Sequence, residues 1–262
     1  MSAALLTDRI DDVAILTISN PEFRNALTPE IYAAGIEVLE NLSSDPQIGA
    51  VILTGAGNMF CAGGNLNRLL ANRSRPPEVQ IESVTALGNL IESIRSCEKP
   101  VIAAVEGAAA GAGFALALAC DLIVAAHDAR FVMAYTKVGL SPDGGSTWLL
   151  PRRLPANLAF EAAALAQPLT AERLAQLGVV NRVCEPGSAR DAALALANQL
   201  AAGPREAVGR IKQLLDAAPQ RSLADHLGPE RDYFVQSLFE SDAAEGIQAF
   251  LEKRPPRFGG SR

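Results

Sequence analysis

Val101-Ile102-Ala103-Ala104-Val105-Glu106-Gly107-Ala108-Ala109-Ala110-Gly111-Ala112-Gly113 begins with five apolar residues and then turns into glycine and alanine. An apolar run this short, with no polar alternation, is the pattern of a strand covered on both faces. The small residues that follow continue as a helix through Ala119, and the whole stretch Gly107–Cys120 reads as buried helix. A strand that feeds a glycine-rich helix start leaves unpaired N–H groups aimed at any anion that docks there. The same small residues also serve tight helix packing, and the two roles are compatible.

Outward from this unit, similar runs recur at Val13–Ile18, Ala50–Thr54 and Leu122–Ala125. Helical patterns lie between them. Thr28-Pro29 is a cap followed by a first-turn proline and opens a helix through Leu42. Ile81, Val84, Leu87, Leu90, Ile91 and Ile94 repeat at helical spacing until Pro100 stops them. The alternation predicts an α/β layered domain. From Pro151 onward helices dominate, over Asn157–Ala166, Thr170–Gly178, Ala189–Ala202, Pro204–Ala217 and Ser222–Leu238, with one strand at Val179–Val183. A last helix begins near Asp242-x-x-Glu245, a capping-box pattern. The expected organisation is a core over residues 1–200 and a helical region over 201–262 that packs on a neighbouring chain.

The 262 residues suffice for one large core without staples. A formal charge of −6 with no basic patch argues against nucleic acid as a partner. Cys61, Cys97, Cys120 and Cys184 are scattered without a C-x-x-C pair, which fits a reducing, cytoplasmic setting. Met1 to Asp12 has no apolar core of the kind a signal peptide carries, and about twenty apolar residues would be needed to span a bilayer. No membrane partner is expected.

Three places could carry chemistry. Phe60-Cys61-Ala62-Gly63-Gly64-Asn65 follows the strand Ala50–Thr54, and its small residues let a ligand oxygen approach backbone N–H groups. Spacing alone does not separate this from an ordinary glycine-rich turn. The helix start at Gly111-Ala112-Gly113 is the second place. The third is Pro142-Asp143-Gly144-Gly145, which sets one carboxylate in a tight turn. Asp in such a turn is commonly turn chemistry alone. Leu140, Trp148, Leu149 and Leu150 nearby predict an apolar setting suited to a proton-carrying carboxyl. Metal chemistry is not expected, since His127 and His226 lack partners at ligand spacing. No G-x-S-x-G elbow exists, and Cys61 has no histidine to activate it.

The two turns, in this order, resemble the crotonase family, also called the enoyl-CoA hydratase/isomerase superfamily. The likeness runs from Asn20-Pro21 and Arg24-Asn25-Ala26-Leu27 through Phe60–Leu66, Lys99–Gly107, Gly111–Gly113 and Ala119-Cys120-Asp121 to Phe250–Pro256. It implies a ββα spiral core with a C-terminal helical trimerisation region, assembled as a homotrimer or as a hexamer of two trimers. It also implies an acyl-CoA thioester substrate, with no cofactor beyond the coenzyme A of the substrate itself. The N–H groups of Ala62 and Ala112 would form the oxyanion hole. Ala62, Gly63, Gly64, Asn65 and Leu66 would line the CoA channel, Arg24 would lie near the phosphates and adenosine, and Gly111 and Tyr135 would border the acyl group. Lys253 or Phe250 would help close the CoA site.

Departures from the family pattern bear on the reaction. Family hydratases use two glutamates, and the matching positions here are Ala115 and Tyr135. A phenol has an ordinary pKa near 10, so Tyr135 is a poor base at neutral pH. The segment Val138–Arg152 is similar to the phenylacetate-pathway isomerase branch, in which an Asp in this setting shuttles protons. The resemblance therefore implies an acyl-CoA isomerase with Asp143 as its catalytic residue. An enoyl-CoA hydratase and a non-catalytic acyl-CoA-binding protein are the alternatives.

Overall fold

The computed structural model describes residues 3–259, so the outermost residues of the two expected regions, 1–2 and 260–262, lie outside it. Nine strands are present among the described residues: β1 (Ala4–Ile10), β2 (Val13–Ser19), β3 (Ala50–Gly55), β4 (Val101–Val105), β5 (Ala108–Ala110), β6 (Leu122–Ala126), β7 (Arg130–Val132), β8 (Leu169–Thr170) and β9 (Arg182–Cys184). Six of them form one sheet in the order β1-β2-β3-β4-β6-β9. All pairings in it are parallel except the β1–β2 hairpin. The other three form a small sheet, β5-β7-β8, set beside it.

The four strands expected from apolar runs are all present, and β4 is buried at every position. The helices of the first half are α1 (Pro29–Ser44), α2 (Leu66–Asn72), α3 (Pro77–Ser96) and α4 (Ala112–Ala119). They are followed by α5 (Ser146–Arg153), α6 (Ala156–Leu165), α7 (Ala171–Gln176), α8 (Ala189–Ala201), α9 (Arg205–Ala217), α10 (Leu223–Leu238) and α11 (Ser241–Leu251). The larger core packs Ile31 and Leu39 of α1, Leu87 and Ile94 of α3 and all of α4 against one sheet face. Across the other face lies α8. Its Ala189, Ala193, Ala197 and Ala201 recur every four residues and rest on Val13, Ile15, Ala50, Ile52, Ile102 and Val124. Methyl side chains along that stripe let the helix backbone come close to β-branched strand residues.

Glu106, just past β4, ties the sheet to this helix. Its carboxylate accepts hydrogen bonds from Gly187 N (3.0 Å) and Ala189 N (2.8 Å), across more than eighty residues of chain. The helix has no side-chain cap of its own, so Glu106 supplies both acceptor and negative charge to its N-terminus. Glu106→Ala should cost about 1–2 kcal/mol, seen as a lower urea midpoint at unchanged slope.

Three expectations are corrected, and one strand lies outside them. The stretch Gly107–Cys120 is not helical throughout: Ala108–Ala110 is strand β5, and α4 begins only at Ala112. The strand expected at Val179–Val183 starts later, at Arg182, because Val179 and Val180 turn into the core instead. Strand β1 was not foreseen, since an edge strand carrying Asp8 and Arg9 lacks an apolar run. The capping box at Asp242-x-x-Glu245 does not form. The residue at the cap is Glu240, Asp242 Oδ1 accepts from Gly259 N (2.9 Å), and Glu245 binds Arg254 and the Arg257 N–H. The Arg254 guanidinium, aided by that N–H, holds the Glu245 carboxyl down at about 2. Among the described residues no helix is long and apolar enough to cross a membrane.

Candidate active site

The turn after β3 is held by two asparagines. Asn25 Nδ2 donates to Ala56 O (2.9 Å) and Met59 O (2.6 Å), and its Oδ1 accepts from Asn20 N (3.1 Å). Asn20 in turn donates from Nδ2 to Ala26 O (2.7 Å). Arg24 and Asn25 both adopt left-handed backbone conformations, with φ of 52° and 58°. That geometry turns the Arg24 carbonyl toward the next segment, where it accepts from Ala62 N (3.1 Å).

The segment Phe60–Cys61 is zipped to β5. Phe60 N donates to Glu106 O (2.9 Å), Cys61 N to Ala108 O (3.1 Å), and Ala110 N to Cys61 O (2.9 Å). The two small-residue turns are thereby pressed together. A Cβ on Gly63, whose φ is +88°, would lie 2.6 Å from Ala110 O and 3.2 Å from Ala112 N. Only glycine fits there.

The Ala62 N–H, one of the two expected oxyanion donors, donates to Arg24 O in this structure. The N–H groups of Gly64, which is exposed, and of Ala112 have no hydrogen-bond partner among the described residues. Ala112 is also the first residue of α4, where the helix dipole favours negative charge. A sequence reader had no signal for this, because the residue that occupies Ala62 comes from a loop almost forty positions upstream.

Asn65 and Leu66 adjoin the pair, Asn65 as the cap of α2, accepting from Arg68 N (3.2 Å). Leu66 and Leu70 on α2 and Ile81 and Val84 on α3 are large apolar side chains left exposed. Arg24 is exposed at the same end of the fold.

Asp143 sits just before α5. Ser146 fixes its main chain, since both Ser146 Oγ (2.6 Å) and Ser146 N (3.1 Å) donate to Asp143 O. The next residue, Gly144, has a φ of +56°, and a Cβ there would lie 3.1 Å from Leu87 Cδ2 and 3.5 Å from Ala115 Cβ. Ala115, fully buried on α4, is therefore in contact with the very turn that carries Asp143. The expected apolar neighbours are otherwise placed. Leu140 is exposed, Leu149 and Leu150 point into the core, and the Trp148 ring is covered by Arg152 at 3.6 Å and Arg95 at 5.1 Å. Leu87 and Ala115 provide the apolar wall.

Tyr135, in the short helical turn Ala134–Val138, donates its hydroxyl to Asp143 Oδ1 at 2.7 Å. Its ring lies against Gly111, 3.7 Å from where a Cβ would be. Burial, followed by the negative charge of Asp143 and the bond to it, pushes the Tyr135 phenol far above its ordinary value. Tyr32 on α1 is buried nearby, and burial followed by the Asp143 charge raises its phenol to about 12. Both phenols stay protonated at neutral pH. Cys61 is likewise inert, its thiol pushed up to about 12 by burial. Among the described residues no group of three or more His, Cys, Asp or Glu could hold a metal ion.

A spiral of ββα units with paired N–H donors between two turns defines a crotonase-type scaffold, and the chain belongs to the enoyl-CoA hydratase/isomerase family, whose description matches residues 8–261. It is 39% identical to the 1,2-epoxyphenylacetyl-CoA isomerase of Escherichia coli K12 over 249 residues, 95% of each chain. It is 33% identical to the 2,3-dehydroadipyl-CoA hydratase of the same organism, over 98% of each. Among solved structures, an enoyl-CoA hydratase from Polaromonas sp. JS666 is similar at 54% identity and a TM-score of 0.95, covering 97% of this chain and 99% of that one.

Proposed function

We propose that the protein is an acyl-CoA isomerase in which Asp143 alone carries the proton. The observation that supports this best is the filling of both positions where hydratases of the family carry glutamate. Ala115 is buried against the Asp143 turn, and Tyr135 is a neutral phenol bonded to Asp143. Hydration needs one group to activate water and a second to deliver a proton. A double-bond shift needs only one group that takes a proton and gives it back.

In this reading the thioester oxygen sits between the Gly64 and Ala112 N–H groups. The Asp143 carboxylate removes a proton from the carbon alpha to the thioester, and the C–H electron pair spreads into a dienolate. Negative charge gathers on the thioester oxygen, where the two N–H groups and the start of α4 stabilise it. Asp143 then returns the proton to the gamma carbon, the double bond becomes conjugated, and the carboxylate is restored. A ring-rearranging variant on an epoxide-bearing acyl group would use the same carboxylate and donors, a reading favoured by the likeness to the epoxyphenylacetyl-CoA isomerase.

The hydratase names of other relatives favour a competing reading. Crotonyl-CoA separates the two. A hydratase consumes its conjugated absorbance, whereas the isomerase leaves it unchanged.

Coenzyme A binding along Ala62–Leu66, with Arg24 near the phosphates, completes the proposal. So does assembly through the helical region 201–262. Its support is the set of large apolar side chains left exposed there, among them Leu215 at 69%, Leu223 at 75%, Phe234 at 69%, Phe239 at 84% and Phe250 at 83%. Sedimentation should give the mass of three chains or six, and a monomer would contradict it.

A further inference from the structure

We propose that Tyr135 is the positioning residue of this site, holding Asp143 by one oxygen so that the other faces the substrate. The inference rests on the assignment of Asp143 as proton carrier. Among the described residues the hydroxyl of Tyr135 is the one hydrogen-bond donor to the Asp143 carboxylate, and it reaches Oδ1 at 2.7 Å. Among the described residues Oδ2 accepts no hydrogen bond. Ser146 fixes the Asp143 main chain through two bonds to its carbonyl, which leaves side-chain rotation as the remaining freedom. The Tyr135 bond removes it.

Tyr135 is itself anchored at both ends. Its carbonyl accepts from Leu140 N (3.0 Å), closing the loop that leads to Pro142 and Asp143. Its ring rests on Gly111, the residue before the Ala112 donor. One phenol thus fixes the carboxylate relative to the N–H group that would hold the thioester oxygen. That spacing governs whether the alpha and gamma carbons both come within reach of one oxygen.

The charged and titratable groups facing this part of the site are Tyr135, Tyr32 on α1, and Cys61 and Arg68, which lie within electrostatic range of Tyr32. Both phenols and the thiol stay protonated at neutral pH, so none of the three adds a negative charge there.

The test uses Tyr135→Phe, which keeps the ring against Gly111 and removes only the hydroxyl. With a β,γ-unsaturated hexenoyl-CoA, kcat should fall about tenfold to a hundredfold, the range for losing a hydrogen bond to a charged group. KM should stay within about twofold, since the contacts proposed to bind the substrate are made by other groups. A role in packing alone would leave kcat close to the wild-type value, since the ring stays against Gly111. In the Asp143→Asn background the same substitution should cost little more, because its route of action is gone. A Tyr135→Phe enzyme with the wild-type kcat, beside an inactive Asp143→Asn, would overturn the positioning role and leave the proton carrier standing. A wild-type rate in Asp143→Asn would overturn both.

Discussion

Asp143→Asn should lower kcat for the proposed isomerisation by about 10²–10⁴-fold, the usual worth of a positioned acid–base group. The substitution changes one atom and keeps the shape of the side chain. Asn can still accept from the Tyr135 hydroxyl through its carbonyl oxygen, and the two Ser146 bonds to the main chain are untouched. The fold therefore stays, and affinity for an acyl-CoA should change by no more than about threefold, since the thioester contacts are made by backbone groups elsewhere. What is lost is the only function for which a carboxylate is needed, the capture and return of a proton. Kinetics with a β,γ-unsaturated hexenoyl-CoA, together with a binding titration of coenzyme A, separate the two quantities. Turnover that survives within a few-fold would mean that another group moves the proton.

Ala112→Pro tests the oxyanion donor without touching the carboxylate. Backbone N–H groups cannot be removed by ordinary side-chain exchange, but proline removes one outright. Its cost depends on the position. Ala112 is the first residue of α4, where proline is well tolerated because the N–H has no partner within the helix. The preceding Gly111, at φ 52° and ψ −122°, lies outside the helical conformation that a following proline forbids. Removing one such donor should lower kcat by about 10²–10³-fold. Far-ultraviolet circular dichroism and the melting temperature, little changed, would show that α4 is intact. The opposite pattern, a collapsed melt with activity per folded molecule unchanged, would place the oxyanion elsewhere.

Much of this architecture is legible in the sequence because the strands are buried on both faces. A strand such as Val101–Val105 has no polar position to blur its limits, and Pro29 and Pro100 mark helix boundaries by backbone chemistry alone. The edge strand Ala4–Ile10 escapes the same reading since solvent covers most of it. The site was legible to the level of the segment and not of the atom. Both small-residue turns and Asp143 could be picked out, but which N–H in Ala62-Gly63-Gly64 is free depends on the Arg24 carbonyl. That carbonyl is aimed by two consecutive left-handed residues, Arg24 and Asn25, whose conformation is stabilised by side-chain bonds to residues thirty positions away. The walls around Asp143 were misjudged for a similar reason. Trp148 is five positions from Asp143 in sequence, yet its ring is claimed by Arg95 and Arg152. Leu87 and Ala115, distant in sequence, take its place beside the turn.

The pairing of Tyr135 with Asp143 joins two positions that the sequence shows separately. Read singly, a tyrosine in place of a glutamate looks like a lost function. Their hydrogen bond shows instead a carboxylate with one oxygen committed and the other available. The arrangement suits a group that must reach two carbons in turn without losing its orientation.

The mass of the product formed from a β,γ-unsaturated hexenoyl-CoA tests the single-carboxylate isomerase most directly. The account predicts one main product of unchanged mass, carrying the conjugated enoyl absorbance and formed by the wild-type chain but not by Asp143→Asn. A main product heavier by one water, or no conversion at all, would contradict it.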